Sequence, residues 1–219
     1  MSPSPPTPNA NPAATWNQRY AGDDYHFGTE PNAWLARHAG VWRAGERVLC
    51  VADGEGRNSV WLAQRGLQVQ AFDIAEVGLQ KARRLAQQRG AAADFVLADV
   101  DGYAWPDAPA AGQPDLRFDG VAAIFVQFAD PALRGRMFDR IVRALRPGGR
   151  LVLQGYTPQQ LQYRTGGPPQ LEHLYTEAML REAFATLQID VLEDYEAEVD
   201  EGAGHRGRSA LIGLVARKR

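Results

Sequence analysis

Several things are scarce in this chain. Only one of its 219 residues is a cysteine, Cys50. That excludes a disulfide framework, and a lone thiol inside an apolar run suits a reducing, cytoplasmic setting. No apolar run approaches the roughly 20 residues that span a bilayer. No basic start is followed by an apolar stretch, so no export signal is expected. Charge of either sign is close to balanced, with 24 Lys and Arg against 26 Asp and Glu and a net of −2. Such a chain has no general attraction to nucleic acid or to an anionic membrane surface. No CxxC or HxxxH spacing occurs, so no metal centre is expected. The chain is expected to act as a monomer or a homodimer. The apolar share, 45%, suits one domain with a full core.

Residues 1–14 carry five prolines and no large apolar residue beyond Met1. Such a segment cannot bury a core, and it reads as a disordered tail ahead of one domain over residues 15–219. Order is expected from Trp16. The next stretch is aromatic, with Tyr20, Tyr25, Phe27 and Trp34. Thr29 is positioned to cap a helix with Glu30 and Pro31 in its first turn. This segment either packs as a covering helix or closes over a site as a lid.

From residue 47 apolar runs alternate with amphipathic ones. Strands are expected at 47–52, 68–73, 94–98, 118–126 and 149–156, and helices at 57–65, 75–89 and 131–145. In the second of these helices Val77, Leu79, Ala82, Leu85 and Ala86 form the apolar stripe, with Lys81, Arg83, Arg84 and Arg89 on the remaining surface. Residues 99–117 read as loop. After a second loop at 157–175, Thr176 caps a helix over 177–187. Strands at 188–197 and 208–217 follow with no helix between them, so they pair as a hairpin. The expected fold is α/β: a Rossmann-like, doubly wound sheet of seven strands, mostly parallel, with an antiparallel C-terminal hairpin and helices on both faces.

One run organises the rest, Arg47 to Asn58. A strand ends in a loop bearing Gly54 and Gly56, and a helix follows. Glycines let backbone approach a ligand, and a helix N-terminus presents unpaired N–H groups. The next strand ends in Asp73, placed to accept from ribose hydroxyls. Dinucleotide dehydrogenases share this layout, but their third glycine position is Ser59 here.

Loop, acid and sheet ending together resemble the class I S-adenosylmethionine-dependent methyltransferases over residues 30–219. The run GEGRNSVWLAQRG and the ending HR followed by LVARKR are similar to the tellurite-resistance branch, beside the thiopurine-type small-molecule enzymes. The resemblance implies S-adenosylmethionine as cofactor and a small-molecule acceptor, such as a thiol or a chalcogen oxyanion like tellurite or selenite. It implies cofactor contacts at Ala52, Gly54, Gly56, Asn58, Asp73, Ile74, Asp99, Val100 and Phe125, with Asp99 by the adenine. It also implies that His205 and Arg206, with Arg208, lie at the acceptor as a cationic pocket. One departure stands out: Cys50 and Ala52 occupy places where the family carries an acid and a glycine, which removes one carboxylate near the cofactor.

The residues allow other assignments. His205, Arg206 and Arg208 also read as a solvated turn. Arg57 and Asn58 either bind the cofactor carboxylate or cap the first helix. Gln127 and Tyr156 lie on the rim where ligands of open α/β sheets bind, or merely end their strands. His173 is either a general base or solvated. Two other classes compete: a nicotinamide-dependent oxidoreductase, and a cofactor-binding protein without catalysis.

Overall fold

Four consecutive buried residues, Val48 to Val51, make β1 (Arg47–Val51) a strand covered on both faces. Alternate side chains enter different cores. Leu49 and Val51 join Phe72, Val121, Met137, Ile141 and Leu153. Val48 and Cys50 join Trp34, Trp42, Leu62, Val69 and Val152. The computed structural model describes residues 11–219. Around β1 it sets β2 (Gln68–Asp73), β3 (Ala93–Leu97), β4 (Phe118–Ile124), β5 (Leu145–Tyr156), β6 (Leu187–Asp200) and β7 (Arg206–Lys218), in the order β3-β2-β1-β4-β5-β7-β6. The first five strands are parallel, and β7 runs antiparallel to both β5 and β6. The expected architecture is present, seven strands with an antiparallel ending.

Helices α1 (Pro12–Arg19), α2 (Ala33–His38), α3 (Arg57–Gln64), α4 (Glu76–Gln88), α5 (Pro131–Ala144), α6 (Gln160–Tyr163) and α7 (Glu177–Ala183) and two short 3-10 turns, Ala39–Val41 and Leu171–His173, complete the described elements. Two glycines let tryptophans seat flat on the sheet. A Cβ at Gly213 would meet Trp34 at 2.3 Å, and one at Gly120 would meet Trp42 at 2.2 Å.

The differences from expectation are local. Residues 12–14 were assigned to the tail, yet they form the first turn of α1. Asn11 caps it, accepting from Ala13 N–H at 3.1 Å, and Pro12 occupies the position where a helix needs no N–H. Residues 1–10 lie outside the described residues. The cap of α2 is Asn32 and not Thr29; its Oδ1 accepts from Leu35 N–H at 3.0 Å. Helix α7 stops at Ala183, and Leu187 already lies in β6. Lys81 is buried, not surface decoration.

Candidate active site

The carboxyl ends of β1, β2, β4 and β5 meet the start of β7 on one rim. After β1 the chain turns through Ala52 at φ +48° and Gly54 at φ +62°, then Gly56 at φ +88°, the residue before α3. Little space is left around this loop. A Cβ at Gly54 would meet Tyr20 Oη at 2.7 Å, and one at Gly56 would meet Ala82 Cβ at 2.6 Å. Ala52 and Phe125, at φ +55° after β4, hold left-handed backbone without being glycine. Each such residue costs about 1–3 kcal/mol, and such strain clusters at ligand sites.

Asp73, at the end of β2, is buried with its carboxylate fixed from two sides. Gly54 N–H donates to Oδ2 at 2.9 Å and Ala75 N–H to Oδ1 at 2.8 Å. Burial raises its pKa, and those backbone donors oppose the rise. Asp53 is half-buried beside it and accepts from Ser59 Oγ. Burial pushes the Asp53 carboxyl up to about 7; the Ser59 hydroxyl opposes this and the Asp73 charge adds to it. Sequence reasoning passed over Asp53, which stands three residues after Cys50 and brings a carboxylate back to this loop. Cys50 itself packs in the core, where burial raises its thiol pKa.

A cavity of about 810 Å³ opens over this floor. Ala52, Gly54, Asn58, Asp73, Ile74, Asp99, Val100 and Phe125 line it, and so does His205. Gly56 does not; it packs on α4. Asn58 is not the cap of α3, a place held by Gly56. Its Oδ1 accepts from Asn32 N–H at 2.9 Å and so ties α2 to the loop. Asp99 Oδ1 accepts from Gly102 N–H at 2.6 Å.

The roof comes from the N-terminal aromatic segment, where Trp16, Arg19, Tyr20, His26 and Phe27 line the cavity. It is held by a buried ion pair that sequence reasoning missed. Lys81 Nζ lies 2.7 Å from Glu55 Oε1, and each side chain is 2% exposed. Glu55 Oε2 also accepts from His26 N–H at 2.8 Å, and Lys81 donates to Asp24 O at 2.6 Å. Asn17 Oδ1 accepts from Val77 N–H at 2.9 Å and fixes α1 over α4.

The far end of the cavity is aromatic. The His205 ring lies between Phe27, Phe125 and Tyr156, with centroids at 4.5, 4.3 and 5.7 Å. Its Nδ1 is buried without a hydrogen-bond partner, 4.0 Å from Glu201 Oε2. Glu201 pairs with Arg57 at 2.7 Å and accepts from Asn32 Nδ2 at 3.0 Å and Ala33 N–H at 3.1 Å. Burial works against the Glu201 charge, but His205, Arg57 and the Ala33 N–H outweigh it and hold the pKa at about 2. Burial lowers the His205 pKa; the Glu201 charge opposes this and Arg57 adds to it.

Arg206 and Arg208 are not in the cavity. Both are exposed, Arg206 donating to Asp200 at 3.1 Å and Arg208 to Glu196 at 2.9 Å. Strand alternation explains this. Residues 205, 207 and 209 face inward, so 206 and 208 face solvent. The cationic pocket expected from the HRGR run is therefore not formed by it. Gln127 and Tyr156 both line the cavity, but Gln127 also clamps the strand end, donating to Tyr156 O at 2.9 Å and accepting from Tyr156 N–H at 2.6 Å. His173 also lines the cavity, with Nδ1 3.0 Å from Gln127 O. Arg57 is absorbed by Glu201. Glu201 gave no sequence signal beyond standing four residues before His205.

The family described as a methyltransferase domain matches residues 48–149. An uncharacterised protein of Mycobacterium tuberculosis is 32% identical over 164 residues, covering 71% of this chain and 55% of that protein. A demethylmenaquinone methyltransferase of Thermus thermophilus is 33% identical over 118 residues, covering 53% of this chain and 50% of that one. The chain thus spans about half the length of the curated relatives it matches. The crystal structure of TehB from Haemophilus influenzae aligns with a TM-score of 0.66 at 15% identity, over 94% of this chain and 67% of that one; this likeness is one of fold.

S-adenosylmethionine fits the residues present. Asp73 is oriented by backbone donors that leave lone pairs for ribose hydroxyls, the glycine loop keeps the floor low, and the volume lies within the roughly 300–1,000 Å³ of small-molecule sites. Residues 48–149 thus match a methyltransferase-domain family, and the strand order, glycine loop and buried acid give the chain the Rossmann-like fold of the S-adenosylmethionine-dependent enzymes it resembles.

Proposed function

We propose that this chain transfers a methyl group from S-adenosylmethionine to a small-molecule acceptor held beside His205. The observation that carries the reading is continuity. One cavity runs from Asp73 and the glycine loop to the aromatic chamber of Phe27, Phe125, Tyr156 and His205. The cofactor supplies an activated methyl group on a sulfonium. Asp73 is placed to hold the ribose and Asp99 the adenine, while the loop from Ala52 to Gly54 supports the methionine portion. The roof of α1 and residues 20–28 excludes water. What this reaction asks of a protein is chiefly alignment and dryness, because the leaving group is already good.

Of the two acceptor types considered, the burial pattern favours a thiol over a chalcogen oxyanion. Arg206 and Arg208 stand outside the cavity, and the Arg57 charge is offset by Glu201. Beside His205 an oxyanion would meet only Arg57, already paired with Glu201; Arg19 lies in the roof, stacked on Trp16.

Calorimetric titration with S-adenosylhomocysteine and, separately, with NADH tests the cofactor. Binding of the first and not the second is expected; tight NADH binding alone would refute the reading. Methyl transfer is then assayed with labelled cofactor against benzyl mercaptan, selenite and tellurite. Binding without turnover on any wider set of small acceptors would leave a cofactor-binding protein.

A further inference from the structure

We propose that Glu201 and His205 act as a proton-accepting pair, so that the acceptor is an uncharged, protic molecule with a flat apolar body. This rests on the methyl-transfer reading above. Three observations support it. The first is orientation. His205 Nδ1 is the shielded nitrogen, turned toward Glu201 at 4.0 Å, while the ring lines the cavity. A proton on Nδ1 is favoured by the neighbouring carboxylate, which leaves the Nε2 lone pair for the chamber. Hydrogen bonds of this kind are often long without ligand and tighten in the closed complex.

The second is the setting of Glu201. Arg57, Asn32 and the Ala33 N–H hold its carboxylate ionised and fixed. Glu201 is a positioning residue: it sets the tautomer of His205 and steadies the positive charge that His205 acquires. The third is the chamber itself. Phe27, Phe125, Phe128, Tyr156 and Pro168 give apolar walls. Arg57, Glu201, His26 and Tyr156 are the titratable groups around the imidazole. Burial keeps His205 neutral near pH 7, so it accepts a proton and does not attract an anion.

The step balances without a further reagent. The acceptor's X–H proton goes to His205 Nε2, and the X lone pair forms the new bond to the methyl carbon. The bond from that carbon to sulfur breaks, with its electrons left on sulfur as a thioether. The proton leaves to solvent when the roof opens.

The experiment uses the full chain with S-adenosylhomocysteine bound and ¹⁵N-labelled imidazoles, followed by NMR across pH. The expected result is a neutral His205 at pH 7 with its proton on Nδ1, and a lower His205 pKa in Glu201→Gln. A proton on Nε2, or a charged ring at pH 7, overturns the proposal with no acceptor needed. In turnover with benzyl mercaptan, kcat/KM should rise with pH through the pKa that NMR assigns to His205. His205→Gln should lower kcat by about 100-fold or more while S-adenosylhomocysteine affinity stays within about twofold. Glu201→Gln should lower kcat less and move the inflection to lower pH, a shift that loss of packing alone would not give. Benzyl mercaptan turnover that is indifferent to both substitutions refutes the pair. Failure to bind S-adenosylhomocysteine instead refutes the methyltransferase reading.

Discussion

Lys81→Ala isolates the pair that holds the roof. In the native chain the Lys81 ammonium sits 2.7 Å from Glu55 Oε1, and both side chains are 2% exposed. Removing the cation leaves a carboxylate with only the His26 and Phe27 N–H groups as donors, at 2.8 and 3.4 Å. Removing one partner of a buried pair costs about 3–5 kcal/mol, mostly as the uncompensated charge left behind. In a chain of this size each kcal/mol moves Tm by about 2–4 °C, so Tm should fall by about 6–20 °C. Urea and thermal unfolding measure this directly. Lys81 also donates to Asp24 O, so limited proteolysis should cut sooner between residues 21 and 28. In the double variant Glu55→Gln, Lys81→Met, an amide oxygen still faces the two N–H groups and an apolar chain fills the lysine stem. Most of the lost stability should return. A loss under about 1 kcal/mol in Lys81→Ala, or a double variant no better than the single one, would refute the reasoning.

Asp73→Ala should weaken S-adenosylhomocysteine binding by about 1–3 kcal/mol in calorimetry, because charge-assisted hydrogen bonds are lost; unchanged affinity would separate Asp73 from the cofactor. Asp53→Asn should stabilise the fold at pH 8 and make no difference at pH 4. The Asp53 carboxyl is raised to about 7 in the fold, so its stabilising contribution is complete below pH ~4 and is lost as pH rises through ~7. The shift sets a ceiling of about 4 kcal/mol, and partial solvent access reduces the expected gain to about 1–2 kcal/mol. Arg206→Ala and Arg208→Ala should each change stability by less than about 1 kcal/mol and leave turnover unaltered; a large drop in kcat for either would return the arginines to the acceptor.

The central strands β1 and β4 were legible because each is a short run of residues buried on both faces, as Val48–Val51 shows. Asp73 and the glycine loop were legible because their geometry is local: strand, turn, helix, strand, acid. What escaped depends on contacts between distant parts of the chain. Lys81 stands four residues after Val77 and four before Leu85, on the apolar stripe of α4, but its charge reads as surface until Glu55 and Asp24 supply partners for it in the interior. Arg57 reads as a helix start until Glu201 arrives from the far hairpin. The HRGR run failed for a different reason. Composition promised a cluster of positive charge, but register decides which members of a strand face inward, and it admitted His205 while turning Arg206 and Arg208 away. Helix α1 escaped because proline-rich composition hid a proline at the one place where a helix accepts it.

Strand β7 is inserted between β5 and β6 although it follows both in sequence. That order has a consequence for assembly. The parallel half, through Tyr156, can form its loop and its acid before β7 is present, but it then carries β5 as a bare edge. β6 has no neighbour until β7 arrives, because it pairs with β7 alone. The fold therefore closes when the β6–β7 hairpin docks its β7 edge on β5, and His205 enters the chamber in that same event. During synthesis a nascent chain long enough to grip the cofactor would still lack its acceptor end. The exposed β5 edge in that interval is where misassembly with a second chain would begin.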